Sequence, residues 1–425
     1  MKVFKFGGAS VKNAEAVKNV SKIIGMFPDN LSVVVSAMGK TTNALEEIVR
    51  FLWERDETGF ESKLNEIYNY HIDILNGLFE DSQHEIYRLL SGDIDLIRSK
   101  YNERIPDNYD FEYDQIVSLG EVISTRIIAA YLQETGETAK WMDSRELIRT
   151  DNNYRNADIN WERTEQLFQT KFLPEFDQNR VLILQGFIGH TAEGFTTTLG
   201  REGSDFTAGI VAFCTNAKDV TIWKDVPGML NADPKWFDNT IKLDKISFKE
   251  AIELSYYGAS VIHPKTVKPL QNKQIPLYVN SFLDPDKTGT VIQSSTDSDH
   301  LVPSFIFKMN QVLVSITPKD FSFIVEKNLS DIFERLSSVK AKINLMQNSA
   351  LNFSVLLDEE KTDIRELLKQ FEDQYYVKYN TGLELITIRH FDQATIDRVT
   401  VEKEVLLEQK TRDTARIIVK DLHEK

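Results

Sequence analysis

The 425-residue chain holds a single cysteine, Cys214, so an internal disulfide is impossible and a reducing compartment is expected. Cys214 closes the apolar run from Ala208 to Phe213, which predicts an inert, buried thiol. The seven histidines are scattered and none pairs with another at i, i+4, so no His/Cys metal cluster is expected. No basic-then-apolar leader opens the sequence, no window of 18 apolar residues occurs, and no low-complexity tract interrupts it. A cytoplasmic protein is the expectation. A G-x-G-x-x-G fingerprint is also lacking, which leaves a dinucleotide site unsupported. Basic side chains are outnumbered 50 to 65, for a net charge of −15. Such a field repels nucleic acid and anionic membranes, so neither is expected as a partner, and an anionic ligand must be held by local groups.

What remains is an ordinary globular composition, 41% hydrophobic and 27% charged, in a chain long enough for about two to four domains. Val3–Phe6 reads as a short strand. Asn13 offers an N-cap to a helix with Val17, Val20, Ile23 and Ile24 on one face. Leu31–Ala37 is a near-continuous β-branched run, the mark of a parallel strand covered on both sides, and Leu45, Ile48, Val49 and Leu52 restart the helical period. Residues from about 60 to 134 are mostly helical in pattern, with a break at Ile105–Asn108. Strand-like runs return at Val181–Leu184, Val220–Trp223 and Leu277–Val279, and this α/β grammar ends near Val291. Ser294–Asp299 reads as a polar linker. Beyond it, strands at Val312–Ile316, Ile343–Met346 and Phe353–Leu357 alternate with helices at Leu329–Leu336 and Ile364–Phe371 in ferredoxin-like order. A second start at Leu383–Ile388, with paired runs at Glu404–Leu407 and Ala415–Val419, reads as a shortened copy.

Four stretches carry chemistry. In Lys5-Phe6-Gly7-Gly8-Ala9-Ser10 a strand ends on a lysine and two glycines precede a helix, an arrangement that lets backbone N–H groups approach a phosphate, although Gly-Gly alone is also an ordinary turn. Gly39-Lys40-Thr41 mimics the tail of a P-loop, but Val34 stands where that loop needs glycine. Thr198 to Asp205 places an arginine fork, Arg201, and an acid, Asp205, at a helix start, where Asp205 could equally be a plain N-cap. Lys224-Asp225-Val226-Pro227-Gly228, followed by Asp233-Pro234-Lys235, is a charged turn after a strand, or a solvated loop. Glu121, after Gly120 in an apolar helix, needs a cationic partner.

Together these stretches resemble the aspartokinase family. Lys5 to Val11 is similar to its opening motif, and Ser36-Ala37 with Thr42-Asn43 to its second loop. Ser118-Leu119-Gly120-Glu121 is similar to its substrate-binding glutamate segment. Thr198 to Asp205 is similar to its glycine- and serine-rich motif, and Lys224–Gly228 with Asp233-Pro234 to its nucleotide-side loop. Tyr257-Gly258-Ala259 with His263-Pro264 resembles a further family segment. The likeness runs in order to about residue 295, and the C-terminal pair resembles the family's ACT domains.

The resemblance implies an α/β amino-acid kinase domain, an α/β/α sandwich, over residues 1–294, a ferredoxin-like ACT domain over 305–380, and a shortened ACT-like unit over 381–425 that lacks the usual first helix. It implies transfer of the γ-phosphoryl of MgATP to the β-carboxylate of aspartate, the first step toward lysine, threonine and methionine. A carboxylate nucleophile is already ionised at neutral pH, so no general base is needed and positioning and charge stabilisation do the work. The implied roles follow. Lys5 neutralises the transferring phosphoryl, Gly7, Gly8 and Ser10 cradle phosphate oxygens, and Asp205 orients Lys5 near a Mg2+ carried by ATP. Arg201 takes the substrate α-carboxylate and Glu121 its ammonium, with Ser36, Thr42 and Ser204 as smaller donors. Lys224, Asp225, Lys235 and Lys265 stand on the ATP side. Departures from the family are Ala9 for a usual threonine, Lys224 for a threonine or serine, Leu230 for an aromatic residue, Ser260 where some members place an ATP-contacting lysine, and Asn344 where lysine-sensitive members carry an aspartate. A homodimer or dimer of dimers through the ACT units and a feedback amino acid bound there are implied as well. The alternatives are a kinase of glutamate or acetylglutamate, and a catalytically dead amino-acid sensor.

Overall fold

The strand that opens the chain, β1 (Lys2–Phe6), alternates in a way that decides the site: Phe4 and Phe6 point to one face and Lys5 to the other. The computed structural model describes residues 1–103, 107–237, 239–259 and 262–422. They form two compact units, one made of Met1–Met229, Lys242–Tyr256 and a stretch ending at Asp299, the other of Leu230–Ile241, Tyr257–Ala259 and a stretch beginning at His300.

In the first unit β2 (Leu31–Val35), β3 (Ala139–Met142), β4 (Val181–Gln185), β7 (Val220–Lys224), β8 (Lys245–Ser247), β9 (Leu277–Ser281) and β10 (Thr290–Gln293) join β1 in one sheet, ordered β3-β4-β2-β1-β7-β9-β10-β8. A small hairpin, β5 (Ile188–His190) with β6 (Thr196–Thr198), stands apart. Pairing is parallel from β3 to β9, and β10 runs antiparallel to β9. Every residue of β2 and β4 is buried, as expected of strands covered on both faces. Phe6 stacks on Trp223 of the neighbouring strand at 6.0 Å, within a core that also takes Val17, Val20, Ile23 and Ile24 from the Ala14–Gly25 helix. Asn13 caps that helix as expected, its side chain accepting from the Ala16 N–H at 2.9 Å. The Gly203–Thr215 helix packs on β1, β2 and β7, and its Asp205 meets Lys5. Consecutive strands lie on one side of β1 until β7 closes the other, so the switch in strand order falls between β1 and β7, at whose carboxyl ends open α/β sheets bind ligands.

No window of 18 residues is apolar throughout, as expected. Among the described residues one helix, Tyr109–Glu134, is long and apolar enough to cross a membrane by length and mean hydropathy, yet 78% of its window is buried inside the protein, as a core helix would be. The expected linker Ser294–Asp299 follows β10 as a run of turns, and the Asp299 carboxylate accepts from the Ser247 N–H at 2.7 Å. The expected break at Ile105–Asn108 lies partly outside the described residues, and so does Ser260.

The second unit is a six-stranded antiparallel sheet of β11 (Ser304–Pro318), β12 (Ile343–Asn348), β13 (Phe353–Asp358), β14 (Tyr375–Arg389), β15 (Lys403–Lys410) and β16 (Thr414–Asp421), ordered β12-β13-β11-β14-β16-β15. The β-α-β-β-α-β order is present, with helices Glu326–Ser338 and Ile364–Phe371 supplying Ile332, Leu336, Leu367 and Phe371 to one core. The two expected copies share their central strands: β11 and β14 each run 15 residues and bend at bulges between Lys308 and Leu313. The shortened copy keeps a first helix, Gln393–Val399, contrary to the expectation that it is lost. Asp392 caps it by accepting from the Thr395 N–H at 2.7 Å, and Ile396 and Val399 reach the sheet. Beside that helix the sheet is covered by Ala232 and Phe237 from the Leu230–Ile241 segment. Phe237 lies on Phe305 at 4.8 Å, and the Arg398 guanidinium covers its ring at 4.1 Å.

Candidate active site

Four strand ends deliver the site. β1 carries Lys5 one residue before its end at Phe6 and runs into Gly7 and Gly8; β2 leads to Ser36; β4 leads to Phe187; β7 ends with Lys224. At Gly8 an added Cβ would stand 2.7 Å from the Gly39 carbonyl and 2.8 Å from that of Ala37, so only glycine lets the two loops touch. Gly7 lies against the lysine, its would-be Cβ 3.5 Å from Nζ. Ser10 is buried with no hydrogen-bond partner for its hydroxyl among the described residues, while Ala9 is exposed.

The Lys5 ammonium lies 2.5 Å from Asp205 Oδ1, and the Lys224 ammonium 3.6 Å from Asp205 Oδ2. Asp205 stands in the first turn of its helix and is almost wholly buried. Burial would raise its carboxyl, but the two lysine ammonium groups outweigh that and hold it below the ordinary aspartate value. The opposite holds at Glu121. Burial pushes it up to about 8, against the N–H of Ala37, which donates to Oε1 at 3.3 Å, and the nearby Lys5 charge. Its Oε2 is buried without a partner among the described residues. A carboxylate so placed awaits a cation.

These groups line a cleft of about 480 Å³, together with Ser36, Thr42, Arg201 and Ser204. Gly186 makes room for Ser204, since a Cβ there would meet the serine side chain at 2.5 Å. The structure thus gathers Lys5, Ser36, Thr42, Glu121, Arg201, Ser204, Asp205 and Lys224, with Gly7 beside them. Asp225 is exposed on the loop after β7 and is not among the cleft-lining residues. Lys235 belongs to the second unit. Lys265 sits on a separate cavity of about 440 Å³ beside Trp161 and Phe206, and its ammonium donates to Asn156 Oδ1 at 2.6 Å. Sequence reasoning missed three lining residues, Tyr113, Arg155 and Phe187, while Gly200, Glu202 and Gly203 lie within the Thr198–Asp205 stretch it singled out. Only Phe187 carried a signal, following the glycine that ends a buried strand. Among the described residues no three His, Cys, Asp or Glu side chains form a metal cage. Cys214 is buried and burial pushes its thiol to about 12, the inert group expected.

The arrangement places two ammonium groups about one buried carboxylate at a sheet's switch point, with the Glu121 carboxyl, one oxygen of which has no partner among the described residues, and Arg201 lining the same cleft. The amino acid kinase family matches residues 1–281. Aspartokinase 3, chloroplastic, of Arabidopsis thaliana is 32% identical over 91% of this chain and 70% of its own length. Lysine-sensitive aspartokinase 3 of Escherichia coli is 32% identical over 84% and 78%. The crystal structure of E. coli aspartokinase III in complex with lysine and aspartate overlays with a TM-score of 0.82 at 27% identity, covering 99% of this chain and 96% of that one. The complex of the same enzyme with aspartate and ADP gives 0.79. The chain therefore belongs to the amino acid kinase family and, within it, to the aspartokinases.

Proposed function

We propose that this protein transfers the γ-phosphoryl group of MgATP to the β-carboxylate of L-aspartate, giving 4-phospho-L-aspartate and ADP, at the head of lysine, threonine and methionine synthesis. One observation carries the reading: the Lys5–Asp205–Lys224 cluster stands in the same cleft as the unpaired Glu121 oxygen. The first suits a phosphoryl group, the second an ammonium. Lys5 meets the charge that builds on the transferring group, and Asp205 holds Lys5 in place. Gly7, Gly8 and Ser10 cradle phosphate oxygens, and Lys224 serves the nucleotide, while Asp225 and Lys265 stand outside the cleft. A Mg2+ ion would fit as cargo of the ATP phosphates, since among the described residues no three His, Cys, Asp or Glu side chains group to hold it and Asp205 is already paired with the two ammonium groups. It would neutralise charge on the β- and γ-oxygens. Arg201 takes the α-carboxylate, Glu121 the ammonium, and Ser36, Thr42 and Ser204 donate to the remaining oxygens.

Acetylglutamate offers no ammonium to Glu121, which disfavours that rival, and a dead sensor has no use for an intact Lys5–Asp205 pair. The test is ATP-dependent hydroxamate formation: aspartate reacts, and glutamate and acetylglutamate do not. Lys5→Met lowers turnover roughly 10²–10³-fold with the fold retained. Near-normal turnover in that variant would remove Lys5 from the mechanism. The same assay with lysine, threonine or methionine added reports feedback, which we place on the C-terminal ACT-like unit. There Asn344 is already committed, donating to Gln311 Oε1 at 2.8 Å and Asp358 Oδ1 at 2.9 Å and accepting from Lys308, so an effector must exchange into this network. A cytoplasmic location and self-association through the ACT-like sheet belong to the same proposal.

A further inference from the structure

Arg55, Asn216 and Gln274 adopt left-handed backbone where they close helices, an ordinary use of that conformation. Arg155, Phe187 and Glu202, with φ of 65°, 70° and 54°, instead line the cleft. Strain of this kind persists only where the surroundings impose it, and it gathers at functional sites.

At Arg155 the imposing groups are visible. Its N–H donates to Asp114 Oδ2 at 3.0 Å, and the same buried carboxylate accepts the Thr198 N–H at 2.9 Å and the Thr198 hydroxyl at 2.6 Å. The Ala157 N–H donates to the Thr198 carbonyl at 3.0 Å and pins the loop a second time. The Arg155 carbonyl lies 3.1 Å from where a Cβ on Gly200 would stand, so the backbone bearing Arg155 abuts the backbone bearing Arg201. The side chain is less committed. Its guanidinium lies over the Tyr113 ring at 4.3 Å, and that ring is fixed by its hydroxyl donating to Glu46 at 2.6 Å. The guanidinium also donates to Asp110 at 3.0 Å, but both partners are about half exposed, 46% and 55%, and such a pair is readily exchanged. A rigid root, a stacked and pre-oriented fork, and a dispensable partner are what a ligand-binding arginine needs.

Resting on the aspartate reading of this cleft, we propose that Arg155 is a specificity-determining residue, whose guanidinium leaves Asp110 and joins Arg201 on the α-carboxylate of the bound amino acid. Two forks on one carboxylate fix that end of the substrate. The length of its side chain then decides whether the second carboxylate reaches the group beside Lys5.

Arg155→Gly separates this role from a structural one, because glycine adopts a φ of 65° without strain. The variant melts at or above the wild-type temperature. Its KM for aspartate rises roughly ten- to a hundredfold, the KM for ATP holds, and the preference for aspartate over glutamate narrows. Arg155→Lys recovers part of the loss, and Asp110→Asn, which frees the guanidinium, leaves the KM for aspartate equal or lower. An unchanged KM for aspartate in Arg155→Gly, or a rise in the KM for ATP in its place, overturns the assignment while the aspartate reaction stands. Wild-type protein that fails to turn over aspartate overturns both.

Discussion

A carboxylate shut away from water prefers to keep a proton, and at Glu121 burial outweighs the nearby Lys5 charge and pushes the pKa to about 8. Its ordinary value is about 4.3. Between these values the folded form holds a proton that the unfolded form has released. The stability this contributes is complete below the lower value and is lost as pH rises through about 8. Glu121→Gln should therefore flatten that slope and melt no lower than wild type at alkaline pH. Substrate binding runs the other way. The proposed ammonium contact requires ionised Glu121, so aspartate affinity should rise about tenfold per pH unit up to about pH 8 and then level. Calorimetric titration in two buffers of different ionisation enthalpy would register the released proton. Affinity that stays flat from about pH 6 to about 8 would show that no ammonium meets this group. Glu121 was legible because an acid amid apolar helix positions breaks its pattern, and Lys5, Arg201 and Asp205 because each lies within two residues of a glycine at a strand or helix end. Arg155 and Tyr113 were not. One sits in a loop with no period, the other on a helix whose tyrosine reads as core, and only the chain's return brings both to the cleft.

At the level of elements, long patterns were read and short ones missed. Asn13 and its helix, β1, β2, β4, β7 and β9 fall where periodicity and β-branched runs put them. β3, β5, β6 and β8 have three or four residues each, too few to display a period, and β5 and β6 form only because each pairs with the other. The Gln393–Val399 helix went unread since seven residues complete barely two turns; its cap and the contact of Ile396 and Val399 with the sheet hold it. The turn after β1 is the element on which the site depends most. Gly8→Ala would drive a methyl group into two carbonyl oxygens, 2.7 and 2.8 Å away, and part the β1 loop from the β2 loop. Turnover should fall by at least about tenfold, with helix content unchanged by circular dichroism, because the clash is local and the sheet core is untouched. A fully active Gly8→Ala protein would mean that the close approach of these loops serves no purpose in the reaction.

For the whole molecule, the second unit is where surface and function meet. β12 is an open sheet edge with Met346 exposed, and the segment before the Glu326–Ser338 helix exposes Phe321 and Phe323 on the same unit. Edges and apolar patches of this kind are normally covered. We expect a homodimer at micromolar concentration in sedimentation, and a shift toward monomer when Phe321 and Phe323 are both changed to Asp; a wild-type monomer at that concentration would refute it. The covalent path between the two units has a further consequence. The chain leaves the first unit after Met229, returns at Lys242, and leaves again at Tyr257 before its final passage at His300. A protein begun at His300 would lack Ala232 and Phe237 and leave the face formed by Ile386, Ile388 and Ile417 open to water. The C-terminal unit is therefore no detachable module: grafted onto a relative, it must carry the Leu230–Ile241 segment from the middle of the chain with it to keep that face covered.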